Sequence, residues 1–353
     1  MFAGVVGMPH NELRRDYLLD RWVVIATERG RRPTDFARKE ELQAKTGVCP
    51  FCPGNEHMTP PAELVYVKSD GKIEKVKDED GFRHKNWVVR CFPNLYPAFN
   101  PPQKEADIGG KNALKGDLAL AVGHHEVLVE SPNHDEHPSD ASVSQLLHVV
   151  NAYLDRLLEL SSKPYVKYVS IFRNHGLEAG ASLSHAHSQI IATPFVPKIV
   201  EKEIRASRRF WQEKGECIFC NIIRREKESP RFIMENSEFI AFAPWASVNP
   251  MEFWIFPKKH EASLLEISDG EKENFAKTLK ACFSALKNLL NDPPYNFGFH
   301  MSLQKNASHH YHWHLEVYPK LAVWAGFEKS TGIYINTVSP ETAAESLRKA
   351  IST

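Results

Sequence analysis

The chain lacks the features that would assign it by composition. It carries 44 lysines and arginines against 44 aspartates and glutamates, so it has no net charge and no electrostatic footprint for nucleic acid. No apolar run approaches the roughly 18 residues needed to cross a bilayer. Met1 to Asn11 lacks the apolar stretch of a signal peptide and runs quickly into charge. A cytoplasmic enzyme with no membrane or nucleic-acid partner is the expectation. Cysteine numbers only six, and without an export signal disulfides are not expected to persist. A length of 353 residues allows one large domain or two ordinary ones.

The cysteines and histidines that are present cluster. Cys49 and Cys52 form one Cys-x-x-Cys pair, Cys217 and Cys220 another, each with phenylalanine before the second cysteine. The first pair ends in a turn, Pro53-Gly54-Asn55, which suits a metal knuckle better than a redox dithiol. Two such knuckles among 17 histidines point to zinc. Cys91 and Cys282 read as small buried hydrophobes.

The segment from Phe172 to Gln189 ends in His185, Ala186, His187, Ser188 and Gln189 and leads into an apolar run. Residues two apart on a strand share a face, so His185, His187 and Gln189 look into one space with Ala186 and Ser188 turned away. A neutral imidazole can ligate metal or attack an electrophile. Two of them beside a carboxamide, after a Gly/Ser-rich loop with spare amides, suit chemistry on phosphate. The competing reading is a pair of half-buried strand histidines.

The chain also repeats itself. Each half has a knuckle, a β-rich run ending in a turn with proline and histidine (His134, His260), a helix, and a His-x-His strand. The helices span Val143 to Leu160, after a Ser139-Asp140 start, and Leu264 to Leu290 around Ser268-Asp269. A charged helix, Glu201 to Glu213, marks the join. Lys68 to Lys85 and Gln103 to Lys115 read as solvated insertions. The expected fold is α+β: two tandem units, 1–197 and 198–353, each an antiparallel sheet with one long helix.

These motifs resemble the galactose-1-phosphate uridylyltransferase family of the histidine-triad superfamily, including its ADP-glucose phosphorylase-like branch. The similarity runs from about Arg14 to Arg348, through Arg21 to Ile25, Arg29 to Phe36, Asn94 to Pro97, Ser131 to His134, Asn174 to Pro197 and Gly326 to Ile335. The resemblance implies that His187 attacks the α-phosphorus of a nucleotide sugar and that Gln189 bonds the transferred phosphoryl group. It implies substrate contacts for Arg29, Arg32, Asn94, Asn174 and Ser182, with phosphate cradled by Ser182 and the amides of Ala181 and Leu183. Two zinc ions per chain follow from it and the repeat. Cys49, Cys52, His134 and His185 would hold the first; Cys217, Cys220, His260 and His312 the second. Some relatives hold their second metal instead with residues matching Glu203, His300, His312 and His314, a set that shares His312.

The resemblance further implies a homodimer in which Glu328 and the early arginines reach a neighbour's site. Better-known members have Pro and Gly in place of Ala186 and Ser188, and some have Cys in place of Ala181. The first reading is UDP-glucose–hexose-1-phosphate uridylyl transfer, the second adenylyl transfer from ADP-glucose to phosphate. From other classes, a histidine-triad hydrolase is disfavoured by Gln189, where a third histidine is usual. A non-catalytic zinc module is disfavoured by His187 and Gln189, which zinc does not need.

Overall fold

The computed structural model describes residues 11–31, 48–108 and 119–352. Among them the chain forms a mixed α+β structure dominated by one antiparallel sheet. Its strands are β3 (Leu64–Ser69), β4 (Lys72–Val76), β5 (Trp87–Pro93), β6 (His124–Val129), β7 (Tyr168–His175), β8 (His187–Thr193), β9 (Phe232–Glu235), β10 (Phe239–Phe242), β11 (Phe253–Pro257), β12 (Tyr295–His300) and β13 (His314–Pro319). They lie in the order β4-β3-β5-β6-β8-β7-β12-β13-β11-β10-β9. The seam between the chain's two halves is therefore an ordinary strand pair, with Asn296 opposite Asn174 and Gly298 opposite Phe172. A separate three-stranded sheet joins β1 (Glu12–Arg15), β2 (Trp22–Ile25) and β14 (Tyr334–Asn336).

The two long helices cover one face of the large sheet. α1 (Val143–Ser161) buries Leu146, Val149, Val150, Tyr153, Leu157 and Leu160, the 3–4 spacing of a single helical stripe. Its cap is Ser142, whose side chain accepts the Gln145 N–H, so the start lies three residues beyond Ser139. α4 (Asp269–Leu290) opens with a Ser268/Glu271 capping box, and Leu264–Glu266 is a separate 3-10 turn. Lys287 of α4 pairs with Asp140 at 2.7 Å, tying it to the loop before α1. α2 (Lys198–Lys214), α3 (Ile218–Lys227), α5 (Gly326–Thr331) and α6 (Pro340–Ser352) complete the fold.

Strand parity decides what each face holds. Leu128, Ile190, Ala192 and Ile171 point to the helices and join the main core. Val127 and Val129 point the other way and pack with Phe51, Ala62, Val65, Trp87 and Phe92 under the Cys49 knuckle. Glu126 lies on the helix side, where Arg156 of α1 grips it at 2.6 and 2.8 Å.

The segment Lys68 to Lys85 is not merely a solvated insertion. It supplies β4, and beyond it Asp78, which is buried against Arg90 at 2.8 Å. Burial opposes the charge of Asp78, but the N–H groups of His84 and Ala62 and the Arg90 guanidinium outweigh it and hold the carboxyl below its ordinary range. Of Gln103 to Lys115, residues 109–115 lie outside the described part of the chain, as does Arg32.

Candidate functional site

β8 begins at His187, so His185 and Ala186 precede the strand. Both imidazoles still lie against one ring, Phe51, with centroids 6.1 and 5.4 Å away. His187 is buried, and its Nδ1 lies 2.7 Å from the His185 carbonyl. A carbonyl can only accept, so Nδ1 carries the proton and Nε2 the lone pair. Burial lowers the pKa of His187 and nearby Arg173 lowers it further, against the His185 hydrogen bond. The ring is thus neutral, with Nε2 as its nucleophilic atom.

Ser188 turns to the helix face, as alternation requires, but it is no passive spacer. Its hydroxyl donates to Glu130 and lies 2.6 Å from the Tyr153 hydroxyl. Glu130 in turn pairs with Arg173, whose Nη2 donates to His137 Nδ1 at 2.8 Å. All of Glu130, Arg173, Tyr153 and Ser188 are buried. This ionic network lies directly behind the strand that carries His187. Sequence reading missed it, because a Glu just past β6 and an Arg on β7 are adjacent only once register is known.

The loop between β7 and β8 requires glycine at both its turns. Gly176 has φ +82°, and a Cβ there would come 2.9 Å from Pro294. Gly180 has φ +88°, and a Cβ would stand 3.8 Å from Asn174 Nδ2. The expected phosphate cradle needs correction at Ala181, whose N–H donates to the Gly176 carbonyl at 3.1 Å. No intramolecular partner is found for the amides of Ser182 and Leu183 among the described residues, and Ser182 is exposed.

Gln189 is bonded to His125, a residue the motif reading passed over, at 2.7 Å. Asn94 Nδ2 lies 3.2 Å from the same His125 nitrogen, while Asn94 Oδ1 accepts the Tyr96 N–H. Asn174 is half-buried and bonded to Asn296 across the seam at 2.8 Å. Arg29 and Glu328 lie elsewhere in the chain, beside the small sheet. Arg29 is exposed in the turn after β2, and Glu328 caps its own helix by accepting the Ala325 N–H at 3.0 Å. That sheet packs on Ala246 and Val248 of the second half.

Three groups of side chains among the described residues bring possible metal donors within 4.8 Å of one another. Cys49, Cys52, His134 and His185 form the first, Cys217, Cys220, His260 and His312 the second. Three of their four histidines are wired alike, while His134 Nε2 lies 2.8 Å from the Ser184 hydroxyl. His185 Nε2 bonds the Ser131 carbonyl, His312 Nε2 the Pro257 carbonyl and His260 Nε2 the Ser308 carbonyl, each at 2.8 Å. Those bonds place the protons on Nε2 and leave the Nδ1 lone pairs facing sulfur, the outer-shell arrangement that orients a metal-ligating histidine. Donor set and tautomer fit a tetrahedral thiolate–imidazole site.

The third group is Glu203, His300, His314 and Glu316. Here His312 does not join Glu203 and His300; Glu316, unsuspected from sequence, takes that place. Although burial opposes protonation of His300, Glu203 and Glu316 push its pKa up to about 9. Protonated at neutral pH, His300 offsets one of the group's two carboxylate charges.

Residues 118–353 match a family described as a domain of unknown function, DUF4921. An ADP-glucose phosphorylase of Arabidopsis thaliana is 33% identical, over 96% of this chain and 92% of that protein. A galactose-1-phosphate uridylyltransferase of Thermotoga maritima is 31% identical, over 96% and 98%. The crystal structure of an Arabidopsis thaliana ADP-glucose phosphorylase with bound ADP-glucose aligns with a TM-score of 0.80 at 31% identity, over 96% of this chain and 99% of that one.

Proposed function

Because this chain belongs to the family of galactose-1-phosphate uridylyltransferases and ADP-glucose phosphorylases, within the histidine-triad superfamily, we propose that it transfers nucleotidyl groups from nucleotide sugars through His187. The observation that carries this is the His187 tautomer: Nδ1–H is held by the His185 carbonyl at 2.7 Å, leaving the Nε2 lone pair for attack. Nε2 forms a bond to the α-phosphorus as the bond to the departing sugar 1-phosphate breaks. A phosphate oxygen of the acceptor then displaces the imidazole, so one hard transfer becomes two easier ones. Gln189, Asn174 and Ser182 donate to the phosphoryl oxygens, and Asn94 with Arg29 and Arg32 holds the rest of the nucleotide.

Uridylyl transfer between UDP-glucose and a hexose 1-phosphate is the first reading. Adenylyl transfer from ADP-glucose to phosphate is the second, favoured by the relative at 33% identity and the aligned ADP-glucose phosphorylase. Each Cys2His2 group would hold one zinc ion that braces structure, two per chain. His185, as a ligand of the first zinc, would be held in place, and its carbonyl would in turn hold the ring of His187. Residues 1–197 and 198–353 are tandem units of one ancestral kind; the mirrored strand order about the β7–β12 seam supports this. A cytoplasmic homodimer with composite sites would use Arg29, Arg32 and Glu328 of a second copy, which fits the placement of Arg29 and Glu328 beside the small sheet.

The test is incubation with UDP-glucose or ADP-glucose labelled at the α-phosphate. A base-stable, acid-labile protein adduct is expected, and His187→Ala should lose it while keeping its fold and metal. Undiminished exchange by that variant would end the covalent mechanism.

A further inference from the structure

The two carboxamides beside His187 can each point either way, and only one way offers N–H groups to a substrate. In both cases a backbone group settles the choice. The Ala98 N–H lies 3.0 Å from His125 Nδ1 and can only donate, so Nδ1 is the acceptor and the neutral ring carries its proton on Nε2. Nε2–H therefore donates to Gln189 at 2.7 Å, and the atom it meets is the amide oxygen. The NH2 of Gln189 is left facing away from His125. Asn94 does not disturb this, since its Oδ1 is taken by Tyr96 and its Nδ2 cannot donate to a protonated nitrogen.

Across the seam the same logic runs through Asn296. The Ala179 carbonyl can only accept, and Asn296 Nδ2 donates to it at 2.7 Å. The second hydrogen of that Nδ2 goes to Asn174 at 2.8 Å, which must present its oxygen. Asn174 Nδ2 then turns toward Gly180, whose missing side chain leaves room there. Phe172 pairs with Gln189, so Asn174, two residues on along β7, comes abreast of His187. The nucleophile thus stands between two amide donors whose orientation is fixed by groups outside the motif.

We infer that His125 and Asn296 are positioning residues that hold Gln189 and Asn174 as hydrogen-bond donors to the transferred phosphoryl group. The inference rests on the proposed nucleotidyl transfer. Its physical basis is that a donor aimed in advance stabilises developing charge without reorganising. It also gives the second half of the chain a part in the first half's site, because Asn296 lies on β12.

The test is a pair of double-mutant cycles read by the single-turnover rate of His187 labelling, with KM measured alongside. His125→Phe keeps the ring's bulk and removes the donor. It should slow labelling about 10- to 100-fold, somewhat less than deleting a transition-state donor outright, with little change in KM. His125→Gln, which retains an N–H, should recover part of the rate. In a Gln189→Ala background His125→Phe should cost little more, because it acts only through Gln189. Asn296→Leu against Asn174→Ala forms the second cycle and serves if His125→Phe does not fold.

Parental rates in both positioning variants, or losses that add to those of Gln189→Ala and Asn174→Ala, would overturn the inference. A parent chain that labels with neither nucleotide sugar would instead sink the functional reading beneath it.

Discussion

Glu130→Ala should destabilise the chain by about 3–5 kcal/mol, the usual cost of leaving one partner of a buried ion pair alone. The structure says why the full cost applies. Arg173 is 1% exposed, and without Glu130 it keeps, besides the neutral Tyr295 hydroxyl, two contacts: His137 Nδ1 at 2.8 Å and the His187 carbonyl at 3.5 Å. Neither is an anion, and neither can move far. Tyr153 and Ser188 lose an acceptor but keep each other at 2.6 Å, so they add little. Unfolding entropy of about 2.1 cal/mol/K per residue gives roughly 0.7 kcal/mol/K for this chain, hence a melting temperature lower by about 4–7 °C. Differential scanning calorimetry on the metal-loaded protein reads this directly. Glu130→Ala/Arg173→Met should regain much of the loss, because an apolar replacement removes the stranded charge as well. A Glu130→Ala melting point within about 1 °C of the parent would refute the claim that losing Glu130 strands the charge of Arg173. So would a double variant no better than the single one.

Metal analysis should find about two zinc ions per purified chain, with Cys217→Ser losing one and keeping the other. Cys49→Ser should be the more damaging to activity, since His185 ties that group to His187. Asp78 supplies an acid-sensitive increment: its folded pKa is depressed, so its contribution is present above the ordinary aspartate pKa of about 4 and fades as pH falls through the folded value. Asp78→Asn should therefore be less stable at neutral pH and show a shallower loss of melting temperature in acid; parallel curves would contradict this. Mixing inactive His187→Ala and inactive Glu328→Ala chains should restore part of the exchange through composite sites. An active monomer in light scattering would show that Glu328 works within its own chain.

Much of this molecule was legible without coordinates, because the informative residues are local. Two knuckles need only a three-residue spacing, alternation alone turns Ser188 away from His187, and the apolar stripe of α1 announces a helix laid on a sheet. What stayed hidden depends on register. Glu130 and Arg173 are separated by 43 positions, His125 and Gln189 by 64, and Asn296 and Asn174 by 122, so no pattern along the chain pairs them. The sequence left His312 shared between two metal sets; the fold divided them by giving it to Cys220 and bringing Glu316 to His300 and His314. Amide direction and imidazole tautomer are the extreme case. Composition and spacing do not affect them, and they are decided by which backbone group, donor or acceptor, the folded chain puts within 3 Å.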